Sequence, residues 1–582
     1  MENIEIAGVL DDVAALLEIQ GANPFRIRAY QNAARTVEAH AVAMHKMLED
    51  GEDLTELPSV GKQVAKHIEE LVETGRLSVI DEIAKEIPLS LIELTRLPGL
   101  GPKKARALWE SLGVETIDDL EGVLKEGAVS DLKGFGKKTE GKILKAIDSY
   151  RKRQQGRTRL ADAEQLVDPL VEYMREAPGL ERLEVAGSYR RRRETVRDID
   201  LLAIADNPDP VMDHFVAYAQ VRSVEKGGGT RGTVILTSGL QADLRIVSAD
   251  SYGSALQYFT GSKEHAVAVR KRAVSMGLRL SEYGVFEVDE DADESDPMSG
   301  KRIAGATEEG VYEAMGLAWI PPELREDRGE VAAAEAGTLP SLIGLEDIKG
   351  DLQMHSTWSD GKNSIEEMLE ACVAKGYEYF ALTDHSKALA MTGGLDAKRL
   401  QEQWVEIDEV AARHPEIRFL KSQEVDILAD GTLDQDDDML EQLDIVVISV
   451  HSRFDMPQAD QTKRIITAMA HPSATILAHP TGRLINVRDP MEFDVDAVLQ
   501  AAVEFNVAVE LNAHPNRLDL RDTHLMHAKE LGAKVVISTD AHRTDELDLM
   551  RYGVDQARRA WLEPGDVLNC LPLDEFLPAI GR

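Results

Sequence analysis

The chain has 582 residues, which excludes a single small fold and corresponds to several domains of about 100 to 200 residues each. Apolar residues make up 43% and charged residues 29% of the sequence, so most of the chain is expected to fold. The 66 basic and 104 acidic residues give a net charge of −38. This average does not exclude a polyanionic partner, because exposed charges are screened beyond about 8 Å and a basic groove can persist.

The two cysteines, Cys372 and Cys570, lie far apart in the sequence. They cannot build a disulfide framework or a thiolate zinc cluster, which favours a reducing compartment. The N-terminal segment carries acids where a signal peptide has basic residues, and no apolar run reaches the roughly 18 residues that span a bilayer. We expect a cytoplasmic protein without a membrane partner.

The first 150 residues read as short amphipathic helices, with apolar residues at i, i+3 and i+4 in stretches such as Val9–Ile19 and Gln63–Val72. Within this all-α part, a hydrophobic-Gly hairpin that leads into a helix occurs three times. The copies are Leu57–Gly61, Leu97–Gly101 and Leu132–Gly136. Each places backbone N–H groups at a helix N-terminus, which can hold a phosphate without reading base sequence.

Each copy resembles a helix-hairpin-helix DNA-binding motif. An ordinary turn between helices is the alternative for one copy, since glycine also supplies a positive φ, but three copies favour DNA binding. A basic segment, Lys133–Arg159, follows the third copy against the acidic trend of the chain. The residues expected to contact DNA are Gly61, Gly99, Gly101, Gly134, Gly136, Lys137 and Lys138.

Residues 159 to 328 change to a mixed α/β pattern. Strands are predicted at Leu183–Ala186, Ile199–Ala205, Thr233–Thr237 and Ala242–Val247. A Gly-Ser turn, an arginine cluster and an Asp-x-Asp follow one another from Gly187 to Asp200. Residues i and i+2 of a strand point to one face, so the carboxylates of Asp198 and Asp200 converge.

An Asp-x-Asp alone is common on surface strands, but a third acid, Asp243, lies on a neighbouring predicted strand. Carboxylates that share a site with substrate phosphates suit Mg²⁺ or Mn²⁺. With the Gly-Ser turn upstream, the pattern predicts a nucleotidyltransferase palm. Ser188 and Arg191 are the expected triphosphate ligands.

Four motifs here resemble those of family X DNA polymerases of the polymerase beta type: Gly187–Arg191, Asp198–Asp200, Tyr258–Ser262 and Glu282–Phe286. The resemblance covers about residues 4 to 328 and implies an α+β palm and thumb that add dNTPs to gapped or nicked double-stranded DNA. It implies that Asp198, Asp200 and Asp243 are catalytic metal ligands. By the same resemblance, the nucleotide is bound by Gly187, Ser188, Arg191, Tyr258, Phe259, Gly261 and Arg270.

Two positions depart from that family. Ala266 stands where the family usually has an Asn that contacts the base edge of the incoming nucleotide. His67 stands where vertebrate relatives carry the Schiff-base Lys of a deoxyribose-phosphate lyase, with Lys62 and Lys66 nearby. We therefore expect the lyase to be weak or absent, because an imine-forming Lys must be both placed and deprotonated.

A segment rich in Ala and Gly, residues 329–346, predicts a flexible linker, and after it strands alternate with helices to the end of the chain. His, carboxylate and one Gln side chain recur at the predicted strand ends. They are Gln353, His355, Asp360, His385, Glu424, His451, His479, Asp540 and His542. Parallel β/α barrels gather active residues at these ends, which predicts a metal cluster. Imidazole with carboxylate and without thiolate suits Zn²⁺, Mn²⁺ or Fe²⁺ and metal-assisted phosphoester hydrolysis.

These residues resemble the PHP (polymerase and histidinol phosphatase) domain over about residues 347 to 576. The fusion resembles the bacterial and archaeal type of family X polymerase. It implies a distorted parallel β/α barrel that binds up to three ions. Their ligands would be His355, Glu424 and Asp540; Glu424, His451 and His479; and Asp360, His385 and His542. Many PHP domains have His at the position of Gln353, whose neutral oxygen should bind its ion more weakly.

The predicted organisation is multidomain. It comprises an N-terminal helical domain at 1–88, a helical fingers-type domain at 89–158, a palm at 159–257, a thumb at 258–328, the linker at 329–346 and the PHP barrel at 347–576. We expect a monomeric DNA repair enzyme that fills short gaps and carries a 3′-to-5′ exonuclease, with abasic endonuclease or 3′-phosphatase as further implied activities. The alternatives are a PHP domain that hydrolyses pyrophosphate or is only structural, and a non-catalytic DNA-end scaffold.

Overall fold

The structure is a computed structural model of the chain. It describes residues 3–38, 44–49, 51, 53–74, 77–95, 97, 100–125, 127–129, 132, 135, 140–141, 143–144, 147, 157–288, 296–389 and 392–581. The chain divides into two compact units, residues 1–155 and 156–582. Among the described helices, none has both the length and the apolar character needed to cross a bilayer.

The first unit is built from helices in all of its described parts. They span Asn3–Gln20, Pro24–Glu38, Met44–Glu49, Lys62–Thr74, Ser78–Ile83, Leu91–Thr95, Pro102–Leu112 and Ile117–Lys125. Their apolar faces meet in one core that includes Leu10, Leu17, Ile68 and Leu108, each fully buried. The predicted helical pattern is confirmed for these residues, and two of the helices contain Val9–Ile19 and Gln63–Val72.

Each of the first two predicted hairpins is closed by a backbone hydrogen bond between residues three positions apart, and each leads into a helix. Val60 N–H donates to Leu57 O at 3.1 Å, and Leu100 N–H donates to Leu97 O at 3.0 Å. In the first hairpin Ser59 has a φ of 63°. A Cβ atom at Gly101 would meet no other atom within 4 Å, so the backbone there can be approached closely. Gly99, Gly134, Gly136, Lys137, Lys138 and most of the segment 133–159 lie outside the described residues.

The described residues of the polymerase-like part of the second unit form ten strands. They are β1 Thr158–Arg159, β2 Leu180–Val185, β3 Thr195–Val196, β4 Asp198–Ala205, β5 Val221–Lys226, β6 Arg231–Leu236, β7 Gln241–Val247, β8 Leu278–Ser281, β9 Gly284–Glu287 and β10 Lys301–Ala304. The main sheet has the order β2-β4-β7-β6-β5, in which only the pair of β4 and β7 is parallel. Strands β10, β9 and β8 form a separate antiparallel sheet.

Helices cover these two sheets and connect them. They span Leu160–Arg175, Gly187–Arg190, Pro208–Val216, Tyr252–Thr260, Lys263–Ser275, Glu308–Ala314 and Glu330–Ala336. The helix Leu160–Arg175 contributes Leu160, Val167 and Leu170 to the core of the main sheet. This α+β architecture agrees with the predicted palm and thumb.

The C-terminal part is a seven-stranded, all-parallel sheet. Its strands are β11 Gly350–Asp351, β12 Tyr379–Leu382, β13 Arg418–Asp426, β14 Ile445–Ser449, β15 Ile476–Leu477, β16 Ala508–Asn512 and β17 Val535–Ser538, paired in sequence order. The sheet closes because Asp540 N–H donates to Gln353 O at 3.0 Å and His355 N–H donates to Ala541 O at 2.8 Å. The residues beyond the first and last strands are thereby joined, and the predicted parallel barrel is confirmed.

Helices surround the barrel between successive strands. They span Ile365–Ala374, Ala397–Ala411, Asp437–Leu440, Gln458–Met469, Val495–Phe505, Asp522–Leu531, Met550–Arg559 and Leu573–Ala579. The strands between them are almost wholly buried, as expected when both faces of a parallel sheet are covered.

The segment 329–346, which the sequence predicts to be a flexible linker, is instead packed against the thumb. It contains the helix Glu330–Ala336, and the side chain of Glu330 is fully buried. The Glu330 carboxylate accepts hydrogen bonds from His265 Nδ1 at 2.6 Å and from Arg328 N–H at 2.7 Å. Composition concealed this because the small Ala and Gly residues permit close packing as readily as they permit flexibility.

Ion pairs join the polymerase-like part to the barrel. Arg192 contacts Asp555 of the barrel at 2.6 Å, and Arg483 of the barrel contacts Glu194 at 2.7 Å. Arg192 also pairs with Glu164 of the helix Leu160–Arg175 at 2.7 Å. The two parts therefore share a partly buried, charge-paired boundary.

We predict that Glu330→Gln destabilises the second unit by about 1 to 3 kcal/mol, because the amide cannot accept from both His265 and the Arg328 backbone. Thermal unfolding of the full chain measures the change. The matched control is Glu335→Gln on the same helix, which removes only a half-exposed partner of Arg272 and should leave unfolding nearly unchanged. Equal destabilisation by the two variants would contradict the structural role of Glu330.

Candidate active sites

Three carboxylates converge at the N-terminal ends of β4 and β7, two inner strands of the main sheet. Strands β4 and β7 pair in parallel with Asp200 opposite Asp243, and Asp198 lies two residues before Asp200 on the same face. The Asp243 carboxylate is held in place by Thr233 Oγ1 at 2.5 Å and Gln241 Nε2 at 2.7 Å. The structure thus brings together the three acids that the sequence singled out.

Burial and mutual repulsion act on these carboxylates. Burial raises the pKa of Asp200 to about 7, and the charges of Asp198 and Asp243 add to the effect. The pKa of Asp198 is also raised, first by burial and then by Asp243. Like charges held this close favour a proton or a cation between them, so the set fits divalent metal ions.

A cavity of about 730 Å³ opens beside Asp198 and Asp200. Its walls include all of the predicted nucleotide-binding residues: Gly187, Ser188, Arg191, Tyr258, Phe259, Gly261 and Arg270. Gly187 has a φ of +66°, and a Cβ there would lie 2.4 Å from Asp200 Oδ2. Glycine is therefore required at this position for the Gly-Ser turn to approach the acid.

Aromatic and cationic side chains form one wall of the cavity. Tyr258 and Phe259 meet edge to face with their ring centroids 5.2 Å apart. The Arg270 guanidinium lies 5.9 Å from the Tyr258 ring, and the Arg245 guanidinium lies 4.7 Å from the Phe259 ring. Ala266 faces the same cavity, as expected for a position that contacts the nucleotide in related enzymes.

Four basic residues that sequence reasoning did not select also line this cavity: Arg157, Arg193, Arg197 and Lys263. Arg193 is the last residue of the arginine cluster, Arg197 directly precedes Asp198, and Lys263 directly follows the Tyr258–Ser262 turn. Arg157 is placed by hydrogen bonds from its guanidinium to Thr195 Oγ1 at 2.9 Å and Thr195 O at 2.8 Å. The cavity is consequently more cationic than its motifs alone indicated.

The second cluster lies at the C-terminal ends of the barrel strands. Three compact groups of possible ligands have their donor atoms within 4.8 Å of one another. They are His355, Asp360, His385 and His542; His385, Glu424 and His451; and His355, Glu424 and Asp540. Glu424 belongs to two groups, as expected for a carboxylate that bridges two ions.

His479 is the one predicted histidine ligand outside these groups. The second predicted set contained Glu424, His451 and His479, whereas the compact group contains His385. His479 Nε2 nevertheless lies 3.0 Å from Glu424 Oε1, and His451 Nε2 lies 3.3 Å from the same oxygen. Both imidazoles therefore surround one carboxylate.

Gln353 is almost fully buried at the same end of the barrel. Neither its Oε1 nor its Nε2 makes a hydrogen bond to the described residues, and the same is true of His355 Nδ1. A buried polar atom without a partner costs about 1 to 3 kcal/mol, and of these atoms Gln353 Oε1 and His355 Nδ1 carry lone pairs that can bind a metal ion. The donor set of imidazole, carboxylate and amide oxygen fits such ions.

Protons occupy part of this cluster when no ion does. Burial alone would lower the pKa of His542, but its hydrogen bond with Asp360 and the charge of Asp540 raise it to about 9. Burial likewise opposes protonation of His451, yet Glu424 raises its pKa to about 9. Metal ions must therefore displace protons from these imidazoles, which makes metal affinity fall as the pH is lowered.

Several residues around the cluster were not found by sequence reasoning. Asp426 Oδ1 lies 3.2 Å from His451 Nδ1 and orients that ring. Asn512 Nδ2 donates to Asp540 Oδ2 at 3.1 Å, and Arg517 Nε lies 3.3 Å from the same oxygen. Only the position of Asp426 at the end of β13, two residues after Glu424, offered a signal in the sequence.

His67, in the first unit, is tied to an aromatic neighbour. The Tyr30 hydroxyl lies 2.8 Å from His67 Nδ1, and the two rings are stacked. Burial lowers the pKa of His67. The residue at the position of the lyase Lys thus packs as a neutral ring.

Comparison with known proteins follows the same division of the chain. Residues 1–77 match the helix-hairpin-helix domain, 91–149 the SAM-like helix-hairpin-helix tandem, 255–326 the DNA polymerase beta thumb and 351–514 the PHP domain. The DNA polymerase/3′-5′ exonuclease PolX of Bacillus subtilis (strain 168) is 40% identical over the full length of both chains. The chain belongs to the family X DNA polymerases that carry a C-terminal PHP domain.

Two further relatives each match one part of this family X polymerase. DNA polymerase lambda of Rattus norvegicus is 26% identical over 56% of this chain and 56% of its own length. A probable phosphatase of Thermoanaerobacter sp. (strain X514) is 26% identical over 36% of this chain and 84% of its own. The polymerase and PHP families are metal-dependent, and the helix-hairpin-helix matches imply DNA binding.

We predict that His451→Ala is far more damaging to metal binding than Gln353→Ala, because His451 belongs to a complete ligand group and Gln353 supplies a weak neutral oxygen. Gln353→His should raise the zinc affinity of its site, and the wild type should be more active as an exonuclease with Mn²⁺ than with Zn²⁺. Metal content and exonuclease rate of the three variants test this. If Gln353→Ala is as inactive as His451→Ala, Gln353 is a full ligand or contacts the substrate.

Proposed function

We propose that this family X polymerase fills short gaps in DNA at the palm and removes nucleotides from 3′ ends at the PHP barrel. The observation that carries the proposal is the convergence of Asp198, Asp200 and Asp243 beside a cavity lined by the predicted nucleotide-binding residues. The name of the Bacillus subtilis relative, which combines a polymerase and a 3′-5′ exonuclease, supports both halves.

In the proposed palm reaction, Ser188 and Arg191 bind the triphosphate of a dNTP. Asp198, Asp200 and Asp243 hold Mg²⁺ or Mn²⁺, and such ions orient an attacking hydroxyl and offset the charge at the α-phosphate. Tyr258 and Phe259 line the cavity and are proposed to pack beside the sugar of the incoming nucleotide. Arg270 lies 5.9 Å from the Tyr258 ring and is proposed to support the template side.

In the proposed nuclease reaction, the three ligand groups of the barrel hold up to three Zn²⁺ or Mn²⁺ ions. Ions of this kind supply the nucleophile for phosphoester hydrolysis by lowering the pKa of water. Asp426 keeps the His451 ring in place, and Arg517 adds a positive charge beside Asp540 that can meet a DNA phosphate. Because the barrel contains three groups of possible metal ligands, a purely structural role for it is the weaker alternative.

A phosphatase activity at the same centre is a second candidate. It is supported by the match of the barrel to a probable phosphatase, which this chain covers over 84% of that protein's length. Release of phosphate from a 3′-phosphorylated primer would establish it, whereas release of phosphate from pyrophosphate would favour the pyrophosphatase alternative. Abasic endonuclease activity requires an abasic duplex as the third substrate in the same assay.

The proposed partners are gapped or nicked double-stranded DNA and dNTPs, bound by a cytoplasmic monomer. The hairpins that contain Gly61 and Gly101 support the DNA partner, since each leads into a helix N-terminus that can hold a phosphate. Unpaired Cys372 and Cys570 are consistent with a reducing compartment.

Asp200→Ala should reduce dNTP incorporation to below about one hundredth of the wild-type rate while leaving the exonuclease rate nearly unchanged. The reason is that Asp200 contributes to the palm cluster and to no ligand group of the barrel. Primer extension on a gapped duplex and decay of a labelled 3′ end measure the two activities. His451→Ala is the reciprocal control, and equal loss of both activities in a folded Asp200→Ala protein would sink the assignment of two sites.

Binding of gapped DNA should weaken by about tenfold or more between 50 and 200 mM salt, despite the net charge of −38. The reason is that hairpins and basic side chains bind phosphates with release of counterions. Lys103→Gln, in the helix after the second hairpin, should reduce the slope of log affinity against log salt by about one. An affinity that does not change with salt would show that the negative net charge of the chain, and not a local basic surface, governs the interaction.

A further inference from the structure

The helix Met550–Arg559 of the PHP barrel holds the backbone of the turn that carries Arg191. Arg559 Nη1 donates to Arg191 O at 2.7 Å, and Gln556 Nε2 donates to Arg192 O at 3.0 Å. Asp555, on the same helix, pairs with the Arg192 guanidinium. Positions 555, 556 and 559 lie on one face of the helix, so this face packs against the nucleotide-binding turn.

The side chain of Arg191 is linked to the same helix through Glu326. Glu326 Oε1 accepts from Arg191 Nε at 3.1 Å and from Arg559 Nη1 at 3.0 Å. Its other oxygen lies 3.4 Å from Arg193 Nη1. Arg191 is 8% exposed and Arg559 only 2%, so these contacts are shielded from water and strengthened by their surroundings.

The remaining donors of Arg191 are directed by these contacts. Its Nη1 donates to Thr260 O at 2.5 Å, and its Nε is used by Glu326. The Nη2 group makes no hydrogen bond to the described residues, and Arg191 lines the cavity of about 730 Å³. Glu326 and Thr260 thus set the orientation of the Arg191 guanidinium. In this orientation Nη2 is free to bind a phosphate.

The charges in this group explain why Arg559 matters for affinity. One carboxylate, Glu326, is shared by the three guanidinium groups of Arg191, Arg193 and Arg559. Arg559 also pairs with Asp522, which in turn pairs with Arg328. The linked group therefore contains four guanidiniums and two carboxylates, and this excess of positive charge beside the cavity favours a triphosphate. Loss of Arg559 would remove one positive charge and leave Glu326 to bind Arg191 more strongly.

We propose that Arg559 and Glu326 are positioning residues for the polymerase reaction, through which the PHP helix Met550–Arg559 sets the affinity of the palm for dNTPs. The inference rests on the proposed function, in which Arg191 binds the triphosphate. It means that the nucleotide site of this chain is built by two domains. The barrel would then support polymerisation independently of its own metal ions.

Steady-state gap filling by the full-length protein tests the proposal. Arg559→Gln should raise the KM for dNTP about fivefold, with kcat unchanged within about twofold. In the Glu326→Gln background the added Arg559→Gln change should raise KM by less than it does in the wild type, because Arg559 acts partly through that carboxylate and partly through its direct hydrogen bond to Arg191 O. Arg559→Lys keeps the charge but cannot span both acceptors, so it should give a smaller increase and serves if Arg559→Gln fails to fold.

Arg558→Gln is the matched control, since Arg558 joins the same helix to Glu323 at 2.8 Å without contacting the cavity. It should leave the KM for dNTP unchanged. The exonuclease rate and the melting temperature report whether each variant is folded. An unchanged KM in both Arg559 variants, an equal shift in Arg558→Gln, or additive effects of Arg559 and Glu326 would each overturn the proposal.

The proposed function itself has a separate test in the same assay. Arg191→Ala should raise the KM for dNTP more than any variant of Arg559. If the wild type does not incorporate dNTPs, or if Arg191→Ala leaves the KM unchanged, the assignment of the nucleotide site fails. If Arg191→Ala behaves as expected and the Arg559 variants do not, only the role of the PHP helix fails.

Discussion

Four consecutive arginines hold the second unit together. A guanidinium stays charged in a protein interior, so each must find a carboxylate there. Together they reach the thumb, the first palm helix and the barrel. The pairs are Arg190 with Glu308, Arg191 and Arg193 with Glu326, and Arg192 with both Glu164 and Asp555. The turn that lines the nucleotide cavity is therefore also the junction of the three parts.

The two catalytic clusters differ from this arrangement, because neither pairs its carboxylates with arginines alone. Their carboxylates lie close enough to one another or to imidazoles that they favour protons or metal ions. In the palm, burial and the charges of Asp198 and Asp243 raise the pKa of Asp200 to about 7. In the barrel, the carboxylates instead draw protons onto His451 and His542. The donor atoms of each cluster fit metal ions, so metal binding should stabilise the fold as well as supply the chemistry.

The residues of the sites could be predicted from local sequence because their spacing follows the period of the strands. Asp198 and Asp200 share a face of β4, and the barrel ligands recur wherever a strand ends, as parallel topology requires. Gln353 was placed at the barrel cluster for the same reason. Its buried and unpartnered amide adds a physical argument for a ligand at that position.

The contacts between domains could not be predicted in this way, because their partners are far apart in the sequence. Arg190 and Glu308 are separated by 118 residues, and Arg192 and Asp555 by 363. The composition of segment 329–346 predicts a flexible linker, but the buried hydrogen bond between Glu330 and His265 holds the segment against the thumb. Arg517 acts through the ligand Asp540 and follows no periodic pattern, whereas Asp426 follows the strand period from Glu424 and was the one such residue with a signal in the sequence.

The central claim is that the second unit holds metal ions at two separate clusters, one of carboxylates in the palm and one of imidazoles and carboxylates in the barrel. Anomalous X-ray scattering from crystals grown with Mn²⁺, gapped DNA and a non-hydrolysable dNTP tests it most directly. The account predicts manganese peaks in contact with Asp198 and Asp200, and a second group of peaks among His355, Glu424 and Asp540. A bound nucleotide without manganese at the palm acids, or a barrel cluster without any ion, would contradict it.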